Sequence, residues 1–295
     1  AIIGGGIGGV ALAIACQHRG IPFTLFERDE SFDARSQGYG LTLQQATKAV
    51  EGLGLEELKE GIVSTRHLVH NAEGKVLGEW GMRKWGKKEE GAAKRTNIHI
   101  ARQALRKALL DQLQGENPVQ WDHQLLGIEK KGKGFELQFI TQGKTHLAQA
   151  DVVVGADGIR STVRKLTLGE EKASLRYLGC IVILGICPLN SISTKQRDLL
   201  DGKTVFQTAN GTERIYMMPY SKEEIMWQLS FPLEEKEAIK LSQLGCSSLK
   251  EEAIKRLKWH APIPEILSAS PENLITGYPV YDRPLLEVGD LKSYG

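Results

Sequence analysis

The chain opens on a glycine-rich turn between two short apolar runs, and this turn limits the possible folds more than any other feature. Residues 1–3 lead into Gly4, Gly6 and Gly9, which have G-x-G-x-x-G spacing, and an Ala-rich segment follows. The first glycine permits a tight turn, the second lets a pyrophosphate approach the backbone, and the third lets a helix pack closely on a strand. The pattern predicts a strand–turn–helix unit that holds phosphates at the helix N-terminus.

An acidic residue extends this pattern. Glu27 ends the next strand-like run, at about the 20-residue spacing where a carboxylate accepts hydrogen bonds from an adenosine ribose. Arg28 follows it, and we expect this side chain to lie beside the adenine. Ala13 stands where the helix should meet the sheet, and Gly20 where the helix should end. The opening therefore indicates a dinucleotide site. A purely structural glycine turn is the alternative, and the pattern does not say which dinucleotide is bound.

Composition narrows the function classes. The 295 residues are 41% apolar and 25% charged, which is typical of a globular protein, and the net charge of +2 gives no reason to expect a nucleic-acid partner. No apolar run reaches the roughly 18 residues that a spanning helix needs. The four cysteines form no C-x-x-C pair, which predicts reduced thiols and a cytoplasmic location. His67 and His70 would point to opposite faces of a strand, so no metal site is predicted.

Further along the chain, the predicted secondary structure changes from a mixture of helices and strands to mainly strands. Residues 41–60 have the near-helical spacing of apolar side chains that predicts a helix, and residues 66–80 resemble a β-hairpin. Residues 83–95 are basic, and we expect them to form a solvated loop. Arg102 falls in the first turn of a clear helix, and residues 152–154 predict a buried strand. Four short strand-like runs then follow Arg164, at residues 180–187, 203–208, 214–219 and 225–231. Such a succession is typical of an antiparallel sheet.

A second motif lies at residues 151–164, which read DVVVGADGIRSTVR. A strand here delivers Asp157 and Gly158 to its carboxyl end, where open α/β sheets place their ligands. Asp157 could accept hydrogen bonds from a ribose or hold Arg160. The alternative is an ordinary strand-to-helix turn in which Asp157 caps the helix.

Taken together, these motifs resemble the single-component FAD-dependent monooxygenases of the para-hydroxybenzoate hydroxylase fold. The opening matches that family's FAD fingerprint at Gly4, Gly6, Gly9, Ala13 and Gly20. The family's Arg-x-x-Leu-x-x-x-Leu helix start is matched from Arg102, and its Asp-Gly motif is matched at residues 155–164. A third family motif, Gly-Asp-Ala-Ala-His, is not matched, because residues 289–292 read Gly-Asp-Leu-Lys. The resemblance therefore implies a chain truncated at its C-terminal side.

The resemblance implies an α/β fold with a doubly wound, Rossmann-like FAD-binding domain and a second, mainly antiparallel β-sheet substrate domain. By analogy, residues 1–65, 97–173 and 276–295 form the first domain, and residues 66–96 and 174–275 form the second. The implied cofactor-binding residues are Gly4, Gly6, Gly9, Glu27, Arg28, Arg102, Asp157 and Gly158.

The implied activity is hydroxylation or epoxidation of an aromatic or polycyclic small molecule with NAD(P)H and O2, without a catalytic side-chain nucleophile or a metal. A flavin-dependent dehydrogenase or reductase on the same fold remains open, as does a truncated, non-catalytic remnant. Tyr216, Met218 and Trp227 either line a substrate pocket or simply pack in the core.

Overall fold

The computed structural model describes residues 1–34, 39–44, 46–55, 57–81, 97–115, 118–193 and 197–291. The predicted basic loop at residues 83–95 lies outside this part of the chain. The described helices are α1 (Ile7–His18), α2 (Ala46–Gly52), α3 (Arg102–Leu110), α4 (Thr162–Lys172), α5 (Glu235–Gln243), α6 (Cys246–Arg256) and α7 (Ile263–Ala269).

The strands fall into two halves of the chain. The first half contains β1 (Ile2–Ile3), β2 (Leu25–Phe26), β3 (Gly40–Leu43), β4 (Ile62–Ser64), β5 (Arg66–His70), β6 (Val76–Trp80), β7 (Asn97–Ala101), β8 (Val119–Gln120), β9 (Gln124–Lys131), β10 (Gly134–Thr141) and β11 (Lys144–Ala150). The second half contains β12 (Val154–Gly155), β13 (Arg176–Pro188), β14 (Thr204–Ala209), β15 (Arg214–Pro219), β16 (Glu224–Pro232) and β17 (Ile275–Asp282).

A four-stranded sheet organises the N-terminal part of the molecule. Its order is β12-β1-β2-β8 and all its pairs are parallel, with Ile2 opposite both Val154 and Leu25. Helix α1 packs against it through Val10 and Ala13, which are fully buried. The α/β fold with a Rossmann-like parallel sheet is confirmed, and a β-strand–turn–helix unit forms at the predicted place.

Strand β12 differs from the prediction in its length and its burial. Residues 152–154 were expected to form a buried strand, but the strand covers only Val154–Gly155, and the side chains of Val152 and Val154 are 64% and 38% exposed. The expectation of burial is therefore wrong. In the described part of the chain β12 pairs only with β1, so it lies at an edge of the sheet and its side chains remain accessible.

A seven-stranded sheet dominates the second part of the molecule, in the order β17-β13-β16-β15-β14-β5-β6. The four predicted strand-like runs become β13 to β16, and neighbouring strands among them pair antiparallel. The hairpin predicted at residues 66–80 forms as β5 and β6, and β5 joins this sheet through a parallel pair with β14. The mainly antiparallel second sheet is therefore confirmed.

The two faces of the seven-stranded sheet have different neighbours. One face packs against α5, α6 and α7 in the largest apolar cluster, in which Phe206 and Trp227 are fully buried. The other face carries a smaller cluster of Val205, Met218 and Met226. This cluster meets β3, because the Gly40 N–H lies 2.9 Å from the Met226 sulfur. The second face is therefore turned toward the three-stranded sheet β3-β7-β4.

The predicted domain boundaries remain predictions, but one of them falls inside a strand. Residue 276 lies in β17, which pairs with β13 in the seven-stranded sheet from Arg176 opposite Asp282 to Gly185 opposite Ile275. Among the described helices, none is both long and apolar enough to cross a membrane.

Candidate cofactor site

A cavity of about 470 Å³ lies at the carboxyl ends of the parallel strands. The turns that follow β1, β2 and β12 all contribute to its wall, which is the place where open α/β sheets bind ligands. Seven of the eight predicted cofactor-binding residues line this cavity: Gly4, Gly6, Glu27, Arg28, Arg102, Asp157 and Gly158.

The three glycines of the opening turn each have a distinct geometry. Gly4 has φ +109°, and a Cβ at this residue would lie 2.6 Å from the Ala156 carbonyl oxygen. A Cβ at Gly9 would lie 1.9 Å from the Gly4 carbonyl oxygen, so a side chain there would push α1 off the turn. Around the Cβ position of Gly6, in contrast, no atom lies within 4 Å. Gly4 and Gly9 therefore allow the backbone to close on itself, and Gly6 leaves space at the cavity.

Glu27 is buried beside this turn and is held by backbone donors. Its Oε2 accepts a hydrogen bond from the Gly5 N–H at 2.8 Å, and its Oε1 accepts one from the Asp29 N–H at 3.1 Å. Each carboxylate oxygen can accept a further hydrogen bond. Arg28 is exposed and lies at the same end of the cavity. The carboxylate therefore stabilises the glycine turn as well as forming part of the cavity wall.

Arg106 is a cavity residue that the sequence did not reveal. Its Nε donates to the Gly5 carbonyl oxygen at 2.8 Å, and its guanidinium lies 3.7 Å from Glu27 Oε2. Arg106 follows Arg102 by one helical turn, so the two residues share a face of α3. That spacing was the available signal, although nothing in the sequence indicated that the guanidinium would be buried.

At the other end of α3's first turn, Arg102 connects the cavity to the seven-stranded sheet. The backbone N–H of Arg102 donates to the Tyr39 carbonyl oxygen at 3.0 Å. Tyr278 of β17 also lies here: burial and the neighbouring Tyr39 hydroxyl raise the pKa of Tyr278 to about 12, and the positive charge of Arg102 partly opposes that rise. Arg102 therefore lies where the parallel sheet's cavity faces the second sheet.

Asp157 has a geometry that favours the capping alternative. Its Oδ2 accepts hydrogen bonds from the Thr162 N–H at 2.6 Å and the Val163 N–H at 3.1 Å, and its Oδ1 accepts one from the Ser161 hydroxyl. These donors begin α4, so the carboxylate caps that helix. Gly158 has φ +79° and open space around its Cβ position. Asp157 thus lines the cavity while its carboxylate is engaged with its own helix.

The residues considered for other roles are dispersed. His67 contacts Ser64 and stacks on Trp80, whereas His70 packs beside His260, so the two imidazoles have separate surroundings. Within the described residues, no group of three or more His, Cys, Asp or Glu side chains is arranged to hold a metal ion.

The candidate substrate-pocket residues divide between the two faces of the large sheet. Trp227 packs in the helix-covered core and donates to the Ser270 hydroxyl at 2.8 Å. Tyr216 and Met218 belong to the opposite face, which is turned toward β3. Trp227 is therefore a core residue, and only the other two lie toward the first sheet.

A family model for an FAD binding domain matches residues 1–267, which is most of the chain. The chain belongs to the FAD-binding domain family. The members similar to it include FAD-dependent monooxygenases, as the sequence motifs indicated.

Two curated relatives illustrate the extent of the match. The aurachin C monooxygenase/isomerase of Stigmatella aurantiaca is 27% identical over 294 residues, covering 96% of this chain and 68% of the relative. The FAD-dependent monooxygenase thnD of Trichoderma harzianum is 28% identical over 207 residues, covering 66% of this chain. The present chain spans only 47% of that second relative.

Solved structures agree on the fold. The HpxO protein of Klebsiella pneumoniae, crystallised with FAD and uric acid, superposes with a TM-score of 0.78 at 21% identity, over 96% of this chain and 68% of HpxO. The 2,6-dihydroxypyridine-3-hydroxylase from Arthrobacter nicotinovorans gives a TM-score of 0.79 at 16% identity, over 96% of this chain and 72% of the hydroxylase. This FAD-binding domain protein therefore has the fold of FAD-binding monooxygenases.

Proposed function

We propose that this protein is an FAD-dependent monooxygenase that uses NAD(P)H and O2 to hydroxylate or epoxidise an aromatic or polycyclic small molecule. One observation carries the proposal: the cavity at the carboxyl ends of the parallel strands is lined by seven of the eight cofactor-binding residues predicted from the sequence. Membership of the FAD-binding domain family and the monooxygenase activities named for its relatives support the same conclusion.

The residues around the cavity fit an adenine dinucleotide. Helix α1 begins just after Gly6, so its first N–H groups and its dipole favour a pyrophosphate at the open space beside that residue. We expect Glu27 to accept hydrogen bonds from the adenosine ribose, with Arg28 beside the adenine. Arg102 and Gly158 would then lie toward the flavin end of the cofactor. Asp157 acts there through the backbone turn that its carboxylate stabilises.

When bound, FAD supplies the transfer of electrons from NAD(P)H and the activation of O2, and the protein supplies binding, orientation and exclusion of water. The chain's own contribution is therefore positional. Arg102 brings a positive charge to the end of the cavity that faces Tyr278 and the second sheet. Such a charge favours anionic or carbonyl groups of a ligand at this end.

The substrate is proposed to lie between the cavity and the face of the large sheet that carries Tyr216 and Met218. That face is apolar; α5, α6 and α7 pack on the opposite side, and Met218 and Met226 are buried against β3. An aromatic or polycyclic compound suits such a surface. Among the relatives, one is named for its action on aurachin C and another for its action on zeaxanthin, and those names apply to those proteins.

Two measurements test the proposal. The purified protein is titrated with FAD, and we expect flavin absorption to remain with the protein after gel filtration. The FAD-loaded protein is then supplied with NADH or NADPH, ¹⁸O2 and a panel of quinolones, hydroxylated aromatic acids and uric acid, and the products are analysed by mass spectrometry. Incorporation of one ¹⁸O atom supports the monooxygenase. Substrate oxidation without ¹⁸O would indicate the dehydrogenase alternative, and failure to retain FAD would indicate a non-catalytic remnant.

A further inference from the structure

Arg106 is a charged side chain that is almost completely buried beside the glycine-rich turn. Only 4% of the residue is exposed, and its guanidinium carbon lies 5.4 Å from the ring centroids of both Phe32 and Trp121. Burying a guanidinium is costly unless polar groups compensate for its lost hydration. The groups that compensate Arg106 include the Gly5 carbonyl and the Glu27 carboxylate, so the residue is built into the cavity wall.

Glu27 and Arg106 bond to the two backbone polar groups of one residue, Gly5. The Gly5 N–H donates to Glu27 Oε2 at 2.8 Å, and the Gly5 carbonyl oxygen accepts from Arg106 Nε at 2.8 Å. The guanidinium also lies 3.7 Å from the same Glu27 oxygen. These three contacts form a closed arrangement that joins β2, the glycine turn and α3.

This arrangement determines the orientation of the next peptide group. Because a trans peptide is planar, the Gly5 carbonyl and the Gly6 N–H point in opposite directions. Fixing the carbonyl on Arg106 therefore turns the Gly6 N–H away from Arg106, at the residue that immediately precedes α1. The N–H groups at that helix end are the donors available to an anionic ligand.

We infer that Arg106 is a positioning residue for the ADP half of the dinucleotide, acting through Glu27 and the Gly5 carbonyl without being required to touch the ligand. The inference rests on the proposed function only in taking an adenine dinucleotide as the ligand. Lysine cannot replace the arginine fully, because its single ammonium lacks the planar fork that reaches two acceptors at once.

The experiment measures the binding of ADP and of FAD to the 295-residue protein by isothermal titration calorimetry. The variants are Arg106→Met, Arg106→Lys, Glu27→Gln and Arg106→Lys combined with Glu27→Gln. The control is Lys107→Met, on the next residue of α3, whose exposed ammonium pairs with Asp111. Urea unfolding of every variant is measured in parallel.

We expect Arg106→Met to weaken ADP and FAD binding by the same factor, about ten- to a hundredfold, since a charged hydrogen-bonding partner is lost. Arg106→Lys should weaken both less, by about three- to tenfold. Lys107→Met should leave both affinities within about twofold of wild type. If Arg106→Met does not fold, the lysine variant alone decides the matter.

Because Arg106 acts through Glu27, the two substitutions should not have independent effects. The fold-loss of ADP affinity in Arg106→Lys combined with Glu27→Gln should be smaller than the product of the two single fold-losses. A merely structural arginine would lower the urea midpoint and give multiplicative losses in ADP affinity. The inference is overturned by multiplicative losses, by wild-type ADP affinity in Arg106→Lys, or by wild-type protein that binds no ADP. Absence of ¹⁸O transfer alongside the expected ADP results would refute the monooxygenase and leave the role of Arg106 intact.

Discussion

Two turns at the carboxyl edge of the parallel sheet place an acidic side chain at the same cavity, but the two carboxylates bond to different parts of the chain. Glu27, after β2, bonds to the Gly5 N–H of another strand's turn and lies near Arg106 of α3. Asp157, after β12, bonds to residues 161–163 at the start of the helix that follows it.

The difference separates a tertiary role from a local one. Removing Glu27 disconnects three elements that surround the cavity, so ligand geometry should suffer. Removing Asp157 leaves the start of one helix without its acceptor, so the helix should suffer first. A family motif can therefore mark a residue whose direct contribution is structural. Variants of Glu27 and of Asp157 test this contrast directly.

The largest effect is expected from Gly9→Ala, because the new Cβ would meet the Gly4 carbonyl oxygen at 1.9 Å. Moving α1 away from the turn should lower the free energy of unfolding by about 2–4 kcal/mol and abolish FAD retention. Urea denaturation and FAD titration measure the two effects. Gly8→Ala is the matched control, since no atom lies within 4 Å of its Cβ position and alanine favours helix. Equal behaviour of the two variants would contradict the packing argument.

The next largest effect is expected at Glu27, whose carboxylate bonds to a distant part of the chain. Glu27→Ala should weaken FAD binding by about 1–3 kcal/mol, because the Gly5 N–H and the buried Arg106 lose their shared partner. Fluorescence titration of FAD measures the change. Glu30→Ala, at an exposed position outside the cavity, should bind FAD like the wild type. Unchanged FAD affinity in Glu27→Ala would remove the distinction between the two turns.

At Asp157, whose carboxylate bonds to the helix that follows it, we expect an effect on stability. Asp157→Ala should lower the free energy of unfolding by about 1–2 kcal/mol, the usual cost of losing a helix cap. A substitution at an ordinary surface position usually changes stability by no more than about 0.5 kcal/mol. Asp157→Ala should also slow the reduction of the flavin by NAD(P)H. Stopped-flow absorbance measures that rate. Asp157→Asn keeps one acceptor and should be intermediate. Wild-type stability in Asp157→Ala would show that the carboxylate is not needed as a cap.

Acid offers a perturbation that involves neither turn. The imidazole of His99 is fully buried between Thr42 and Ser64, and burial, with a smaller effect of His67, lowers the pKa of His99 to about 4. The folded-state pKa is below the unfolded value, so the unfolded state binds more protons and stability falls as the pH drops below about 6.5.

We expect the free energy of unfolding to fall by about 1 kcal/mol between about pH 7.5 and about pH 5.5 through this group. Urea unfolding of wild type and of His99→Gln at both values isolates the contribution. An identical pH dependence in the two proteins would contradict it. The FAD affinity of the protein that remains folded should be the same in wild type and in His99→Gln at each pH, because His99 is part of neither turn.

Parts of the fold were predictable where neighbouring residues dictate local structure. The strands β13 to β16 formed where short apolar runs alternate with turn residues, and the helix after Gly6 formed where the fingerprint required it. The helical interpretation of residues 41–60 was wrong at its start, because Gly40–Leu43 pairs as β3 with β7. Helical spacing in so short a run does not exclude a strand when a distant partner is available.

The sequence by itself determined the glycine turn, the acid at the end of β2 and the change from a parallel to an antiparallel sheet, since spacing and local conformational preference carry that information. Only the tertiary structure decided that Arg106 would close the arrangement around Gly5 and that the carboxylate of Asp157 would bond to its own helix. The Gly5–Arg106 contact joins residues 101 positions apart. Its formation depends on how α3 packs against α1 and β7, and a buried guanidinium has no periodic signature in the sequence from which that packing could be inferred.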